Sequence, residues 1–255
     1  MAKKSRRPVK PENQPGIATV RLGWLDGLRG AAVLAMIGYH FGFDLNYLGW
    51  IHQNLNEDRA WLMARTVILG SFLFLAGASF ALAQQRSVQL RQHLTRIAKI
   101  AAAALLVTLG SRLAFPESAI YFGTLHAIAV MGLLLMALPK WGWGLCWLGA
   151  LVIGIDLIYA DAIFNHPALS WLGLRTFKPV TEDYVPLIPW FGACLLGCGA
   201  MRVALRTGAL ARRSGADVMS PSWLAWTGRH SLAIYLIHQP LLLGTLIPLS
   251  KLLRS

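Results

Sequence analysis

The chain has 255 residues, 56% of them hydrophobic and 14% charged, with a net charge of +13 and a mean hydropathy of +0.52. Soluble domains carry roughly 25% charged residues, and the apolar residues here come in blocks too large for a water-exposed fold of this length, which excludes a soluble globular protein. The cations gather at the ends of those blocks, with no basic stripe interleaved with exposed aromatics, which excludes nucleic acid as a partner and points to orientation in a bilayer.

Residues 1–20, MAKKSRRPVKPENQPGIATV, are basic and rich in Pro and Gly. No apolar core or small-residue cleavage site follows as in a signal peptide. The segment reads as a disordered cytoplasmic tail against anionic headgroups, ahead of one membrane domain over 21–255. A helix crossing the hydrocarbon needs roughly 20 mostly apolar residues. Segments 25–47, 61–82, 97–113, 119–138, 143–164, 185–204 and 231–249 satisfy that, so the predicted fold is an all-α bundle of about seven transmembrane helices. Phe115-Pro116-Glu117 and Pro139-Lys140 stop the third and fourth spans. The longest internal loop, Asn165 to Asp183, carries Trp171, Arg175, Lys178 and Glu182. SPSWLAWTGRH, before the last span, reads as a short interfacial helix with two Trp anchors.

Most Lys and Arg then fall on the side of the N-terminus, which places that terminus in the cytoplasm and the C-terminus outside. Cys146, Cys194 and Cys198 lie within apolar segments as small packing residues. A CxxxC pair alone lacks the further ligands of a zinc site, so no metal is predicted.

An ionisable group inside a span costs roughly 2.5 to 3.5 kcal/mol, so each needs a partner or a task. In LDGLRGAAVLAMIGYHFGFDL, Asp26 and Arg29 stand one turn apart and form an i, i+3 pair. His40 lies about 21 Å further along the helix, in the outer half, and Asp44 follows one turn later on the same face. A carboxylate so placed fixes an imidazole's tautomer and stabilises its protonated form, as a general base requires. His126 and the Pro186, Pro189 and Trp190 group fall at a similar depth, with Arg65 as the expected partner of Asp44. Asp156 and His238 are further polar groups in the fifth and seventh spans. For His40 the structural alternative is a buried ring satisfied by a backbone carbonyl, and for His126, His238, Asp156 and Arg65 it is helix-to-helix hydrogen bonding. Arg29, Arg96, Lys99, Arg229 and His230 form a cytoplasmic cationic cluster. Positive-inside bias accounts for most of such a cluster without function, and a phosphorylated cofactor approaching from the cytoplasm would need such donors.

The same opening string, followed by FLFLAGASFALA, FGTLHAIAV, VPLIPWFGACLLG and TGRHSLAIYLIHQPLL, resembles the bacterial members of the heparan-α-glucosaminide N-acetyltransferase catalytic-domain family, over nearly all of residues 21 to 245. The first block also looks like the first span of the broader membrane acyltransferase superfamily.

That resemblance implies a multi-pass protein of the bacterial inner membrane. It would take acetyl from cytoplasmic acetyl-CoA to an amine or hydroxyl of a sugar or glycan at the outer side. The superfamily's first-span His maps onto His40, as base or acyl carrier, whereas the mammalian relatives' loop His corresponds to His52. His126 and Trp190 would position thioester and sugar, with Arg65 and His238 beside the acceptor. Asp26, Arg29, Arg96, Lys99, Arg229 and His230 would face acetyl-CoA. The chain is shorter than the mammalian catalytic domain, and a homodimer is one way to complete the site. A proton-coupled transporter or flippase is the alternative from another class, and a non-catalytic membrane scaffold is the third. N- against O-acetylation, and direct transfer against an acetyl-His intermediate, stay open.

Overall fold

The computed structural model describes residues 22–55, 57–86, 88–210 and 220–254; the basic tail over 1–20, and Arg212 and Arg213 of the charge pattern, lie outside them. In chain order the helices are α1 (Gly23–Tyr47), α2 (Arg59–Gln85), α3 (Leu90–Ala114), α4 (Thr124–Ala137), α5 (Trp143–Ile158), α6 (Leu187–Arg206), α7 (Ser222–Arg229) and α8 (Ser231–Arg254). Among the described residues there is no named strand, only an isolated parallel bridge between Phe122 and Tyr184.

Each predicted apolar segment is helical. Four helices, α2, α3, α6 and α8, are long and apolar enough to cross a membrane. α4 and α5 are apolar but shorter, at 14 and 16 residues. α1, with 25 residues, carries Asp26, Arg29 and Asp44 and falls outside the four. Leu105, Leu106, Leu109 and Leu113 of α3 and Leu157 and Ile158 of α5 point outward and exposed. Water would not tolerate such a surface, and lipid hydrocarbon suits it.

The boundaries shift where local chemistry overrides hydropathy. α3 begins at Leu90, well before the apolar run, because Arg91, Gln92, Arg96 and Lys99 are straight-chain residues that favour helix. α4 begins later than expected, since the segment from Ser118 to Phe122 pairs with the loop ahead of α6: Glu182 N donates to Ser118 O at 2.9 Å and Val185 N to Phe122 O at 3.1 Å. α5 ends at Ile158, where the backbone turns extended at Tyr159 and Asp161 caps a 3-10 turn at Ala162–Asn165. SPSWLAWTGRH forms α7 with Trp223 and Trp226 exposed. α8 is one continuous helix despite Pro240 and Pro248.

Contacts at the helix ends fix the directions. Arg29 near the start of α1 bonds Ser79 near the end of α2 at 2.6 Å. Arg202, buried near the end of α6, donates to Pro139 O at 3.0 Å and to Gln84 Oε1 of α2 at 2.6 Å, so the ends of α2, α4 and α6 meet. At the opposite end Ser118, just past α3, donates to Glu182 ahead of α6 at 2.5 Å, and Arg254 closes α8 onto the Leu48 carbonyl at the end of α1. The long helices therefore alternate in direction.

Glycines set how closely they pack. A Cβ on Gly77 of α2 would stand 1.9 Å from Cys194 O of α6, and one on Gly197 of α6 would stand 1.9 Å from Phe74 O of α2. Backbones this close give dense van der Waals contact. Cys194 and Cys198 are buried in this seam, and Cys146 packs against Gly199. The glycines of LDGLRG do the same for α7: Cβ atoms on Gly30 and Gly228 would meet Leu224 O at 2.1 Å and Asp26 O at 1.7 Å.

Candidate active site

Two polar sites lie toward opposite ends of α1, on Asp26 with Arg29 and on His40 with Asp44. At the first, Arg29 Nη1 donates to Asp26 Oδ1 at 2.9 Å, forming the predicted salt bridge, and Nη2 donates to Ser79 Oγ. A cavity of about 370 Å³ opens here, bordered by Asp26, Arg29, Ser79 and Arg86. Arg96 lies within electrostatic reach of Arg29. Arg96 and Lys99 border a second, open hollow of about 540 Å³ with Gln92 and Thr95. Arg229 and His230 are exposed at the end of α7, brought to the same end by the contact of Gly228 with Asp26 O. The His230 ring stacks on Trp226 at 4.4 Å. The cationic cluster is thus assembled at one end of the bundle, and two of Arg29's five donors are already engaged.

At the second site the His40 ring stands 5.0 Å, edge to face, from that of His238 on α8. Asp44 is buried to 1% exposure. Its Oδ1 accepts a 2.8 Å hydrogen bond from Gln239 Nε2, the residue next to His238. Two expectations are corrected here. Asp44 pairs neither with Arg65 nor with His40: it faces the α1–α8 seam, where Gln239 meets it. Arg65 instead lies within electrostatic reach of Tyr39 and of Lys178 in the loop ahead of α6, where a long side chain can keep its charge hydrated.

The hydrogen bonds assign the tautomer of His238. Its Nδ1 is 2.7 Å from Tyr235 O, and a carbonyl only accepts, so Nδ1 carries the proton and Nε2 is left with its lone pair. Nε2 is buried and has no partner. For His126 the assignment is reversed. Its Nδ1 accepts from Gly123 N at 3.3 Å, so the proton sits on Nε2 and donates to Thr108 Oγ1 at 3.2 Å. His126 therefore serves the entry to α4 and the α3–α4 contact.

Asp183 joins the two neighbourhoods. Its Oδ2 accepts from Thr124 N at 2.7 Å, capping α4 from a loop 59 residues away, and from the Tyr235 hydroxyl of α8 at 3.3 Å. Burial raises the Asp183 carboxyl above the ordinary carboxylate range, opposed by the hydrogen bonds from Thr124 and Tyr235. Burial likewise pushes the Tyr184 phenol up to about 12, so it stays a donor to Ser170 O at 2.5 Å.

The remaining predicted residues sit apart. Trp190 packs in the main core with α2, near Gly70. His52 is exposed in the loop after α1, and Asp156 is exposed on α5. Sequence reading missed Gln239, Tyr235 and Asp183. The adjacent pair His238-Gln239 in an otherwise apolar run was a readable signal for Gln239, whereas nothing local marks Asp183 as the cap of α4.

Residues 21–240 match the family described as heparan-alpha-glucosaminide N-acetyltransferase, catalytic. The chain belongs to that family. The match ends one residue past Gln239, so it takes in both polar ends of α1 and the part of α8 that faces them. Membership in the heparan-α-glucosaminide N-acetyltransferase family places the chain among transmembrane acetyltransferases. No curated protein and no solved structure gives a significant match.

Proposed function

We propose that this chain carries an acetyl group from cytoplasmic acetyl-CoA to an amine or hydroxyl of a sugar or glycan at the outer side of a bacterial inner membrane. In this reading it crosses the membrane seven times with its N-terminus in the cytoplasm. The supporting observation is the separation of two unlike polar sites along α1. The cationic cavity at Arg29 suits the phosphates of the donor, with Arg96, Lys99, Arg229 and His230 at the same end. The paired rings of His40 and His238 lie toward the other end, about 21 Å along the helix from Asp26. Acetyl-CoA cannot cross a bilayer, but its pantetheine arm is a long, slender chain that can follow α1 inward. Attack of the acceptor on the thioester carbonyl forms the new C–N or C–O bond and breaks the C–S bond. His40 takes the acceptor's proton or transiently carries the acetyl group.

Transfer of radiolabel from acetyl-CoA by the chain in proteoliposomes tests this. His40→Ala is expected to abolish transfer while acetyl-CoA still raises the melting temperature, as ligand linkage requires. His52→Ala is expected to retain transfer. Full activity in His40→Ala would overturn the assignment, and no thermal effect of acetyl-CoA on the unaltered chain would overturn the function.

A further inference from the structure

Three buried polar atoms without a hydrogen-bond partner belong to residues at the contact of α1 with α8: Asp44 Oδ2, Gln239 Oε1 and His238 Nε2. Asp44 and His238 are each more than nine-tenths buried, at 1% and 8% exposure. All three atoms are acceptors, for independent reasons. The carboxylate has only lone pairs to offer. The Gln239 amide must present its NH₂ to Asp44 Oδ1 at 2.8 Å, because the flipped amide would set oxygen against carboxylate. His238 spends its proton on Tyr235 O.

A buried polar atom left unpaired is costly, and folded proteins rarely keep one without a use. Three acceptors at one seam, beside the ring of His40, ask for a ligand rich in N–H and O–H groups. A carboxylate or sulfate brings only further acceptors and is repelled. A carbon bearing an amine or hydroxyl, next to another that does the same, supplies what is missing.

We propose that Asp44 Oδ2, Gln239 Oε1 and His238 Nε2 form the receptor for neighbouring amino and hydroxyl groups of the acetyl acceptor, with His238 as the base and His40, 5.0 Å away ring to ring, as the transient carrier of the acetyl group. The inference rests on the acetyl-transfer reading. The acceptor's N–H or O–H points at His238 Nε2, while Asp44 and Gln239 hold a neighbouring donor. His40 first takes the acetyl group from the thioester, breaking the C–S bond; as the nitrogen or oxygen then attacks that acetyl carbonyl, its proton passes to His238 Nε2, the bond to His40 breaks, and the His238 imidazolium is stabilised through Nδ1–H and Tyr235 O. The thiolate leaves with that proton as the free thiol of CoA. The acetylated group has one hydrogen fewer to give, so the product satisfies the receptor less well than the acceptor did. Release follows from the same hydrogen-bond count that governs binding.

The test uses the full chain in proteoliposomes with radiolabelled acetyl-CoA, and glucosamine as the probe acceptor. Asp44→Asn and Gln239→Leu are expected to raise the KM for glucosamine at least about tenfold, the effect of leaving a polar group unpaired, while the acetyl-CoA thermal shift is kept. His238→Asn keeps a donor near the Nδ1 position and loses the Nε2 base. It is expected to lower kcat by about a hundredfold or more and to flatten the acidic limb of the pH profile. The unaltered chain supplies a measurement that needs no variant: 3-deoxyglucosamine should show a KM raised to a similar degree. Unchanged KM values in both variants and with the deoxy probe, or full kcat in His238→Asn, would overturn the inference. A chain whose melting temperature responds to sodium ions but not to glucosamine would overturn it in favour of a cation site. If acetyl-CoA stabilises the chain but glucosamine is neither bound nor acetylated, the receptor fails and the acetyl-transfer reading stands. No response to acetyl-CoA removes both.

Discussion

Gln239 of α8 donates a 2.8 Å hydrogen bond to Asp44 of α1, joining residues 195 positions apart. The acceptor is buried, so losing the donor leaves a carboxylate with neither oxygen paired. Gln239→Leu is expected to cost about 1.5 to 3 kcal/mol, the range for hydrogen bonds to charged groups. The combined Asp44→Leu, Gln239→Leu chain should recover part of that loss, because nothing polar is then left unpaired. Thermal melts of the two single variants and the double in detergent give the coupling directly.

Arg29 holds Asp26 and Ser79, and the donor contact proposed for it can be tested separately. Arg29→Lys keeps a charge beside Asp26 but loses the fork that reaches Asp26 and Ser79 together. We expect it to weaken acetyl-CoA binding about tenfold, seen as a smaller ligand-induced rise in melting temperature. The KM of the acceptor should not change, since the proposed acceptor site lies toward the other end of α1.

The glycine seam between α2 and α6 makes a steric prediction. Gly77→Ala or Gly197→Ala would place a methyl 1.9 Å from a backbone oxygen of the opposite helix. Neither helix can yield without losing the seam, so each change should cost about 3 kcal/mol or more. Gly244 of α8 has nothing within 4 Å of its would-be Cβ, and there Gly→Ala is expected to stabilise by about 0.5 to 1 kcal/mol. Melting temperatures of the three variants, measured side by side, check the contrast.

Asp183 links stability to pH. Its carboxyl titrates above the ordinary value because burial disfavours the charge. The folded chain therefore holds this proton at pH values where the unfolded chain, with a pKa of about 3.9, has lost it. Between those two pKa values the folded state binds more protons, so this group's contribution to stability falls as pH rises and is largest below both. Asp183→Asn can still accept from Thr124 N and has no proton to lose. We expect its melting temperature to decline less from acidic to neutral pH than that of the unaltered chain.

Hydropathy reveals the helices because it reports a solvent, and every apolar segment read from the sequence is helical. The ends were legible only where Pro or a charge interrupts the run. α4 starts late because Asp183, far away in sequence, supplies its cap, and α3 starts early because its first turns are polar yet favour helix. The Asp26–Arg29 pair was readable since both partners share one helix. Asp44 meets Gln239 and not the partners expected for it, because helix periodicity shows which residues share a face but not what the facing helix brings. The partner came from α8, as the neutral residue beside a histidine already singled out. LDGLRG drew attention through its charges, and its glycines, which admit α7, were overlooked.

The helices are held by two kinds of joint. α2 and α6 interlock backbone to backbone through Gly77 and Gly197, a fit that tolerates no sliding. α8 is fastened to α1 and to the loop ahead of α6 by side-chain bonds from Gln239, Tyr235 and Arg254, and its own glycine meets nothing. Such bonds stretch and re-form over distances that would jam a steric interlock. The bundle thus combines a steric interlock at α2–α6 with a hydrogen-bonded seam at α1–α8, so an acceptor bound as proposed between α1 and α8 would part hydrogen bonds and leave the interlocked backbones in place.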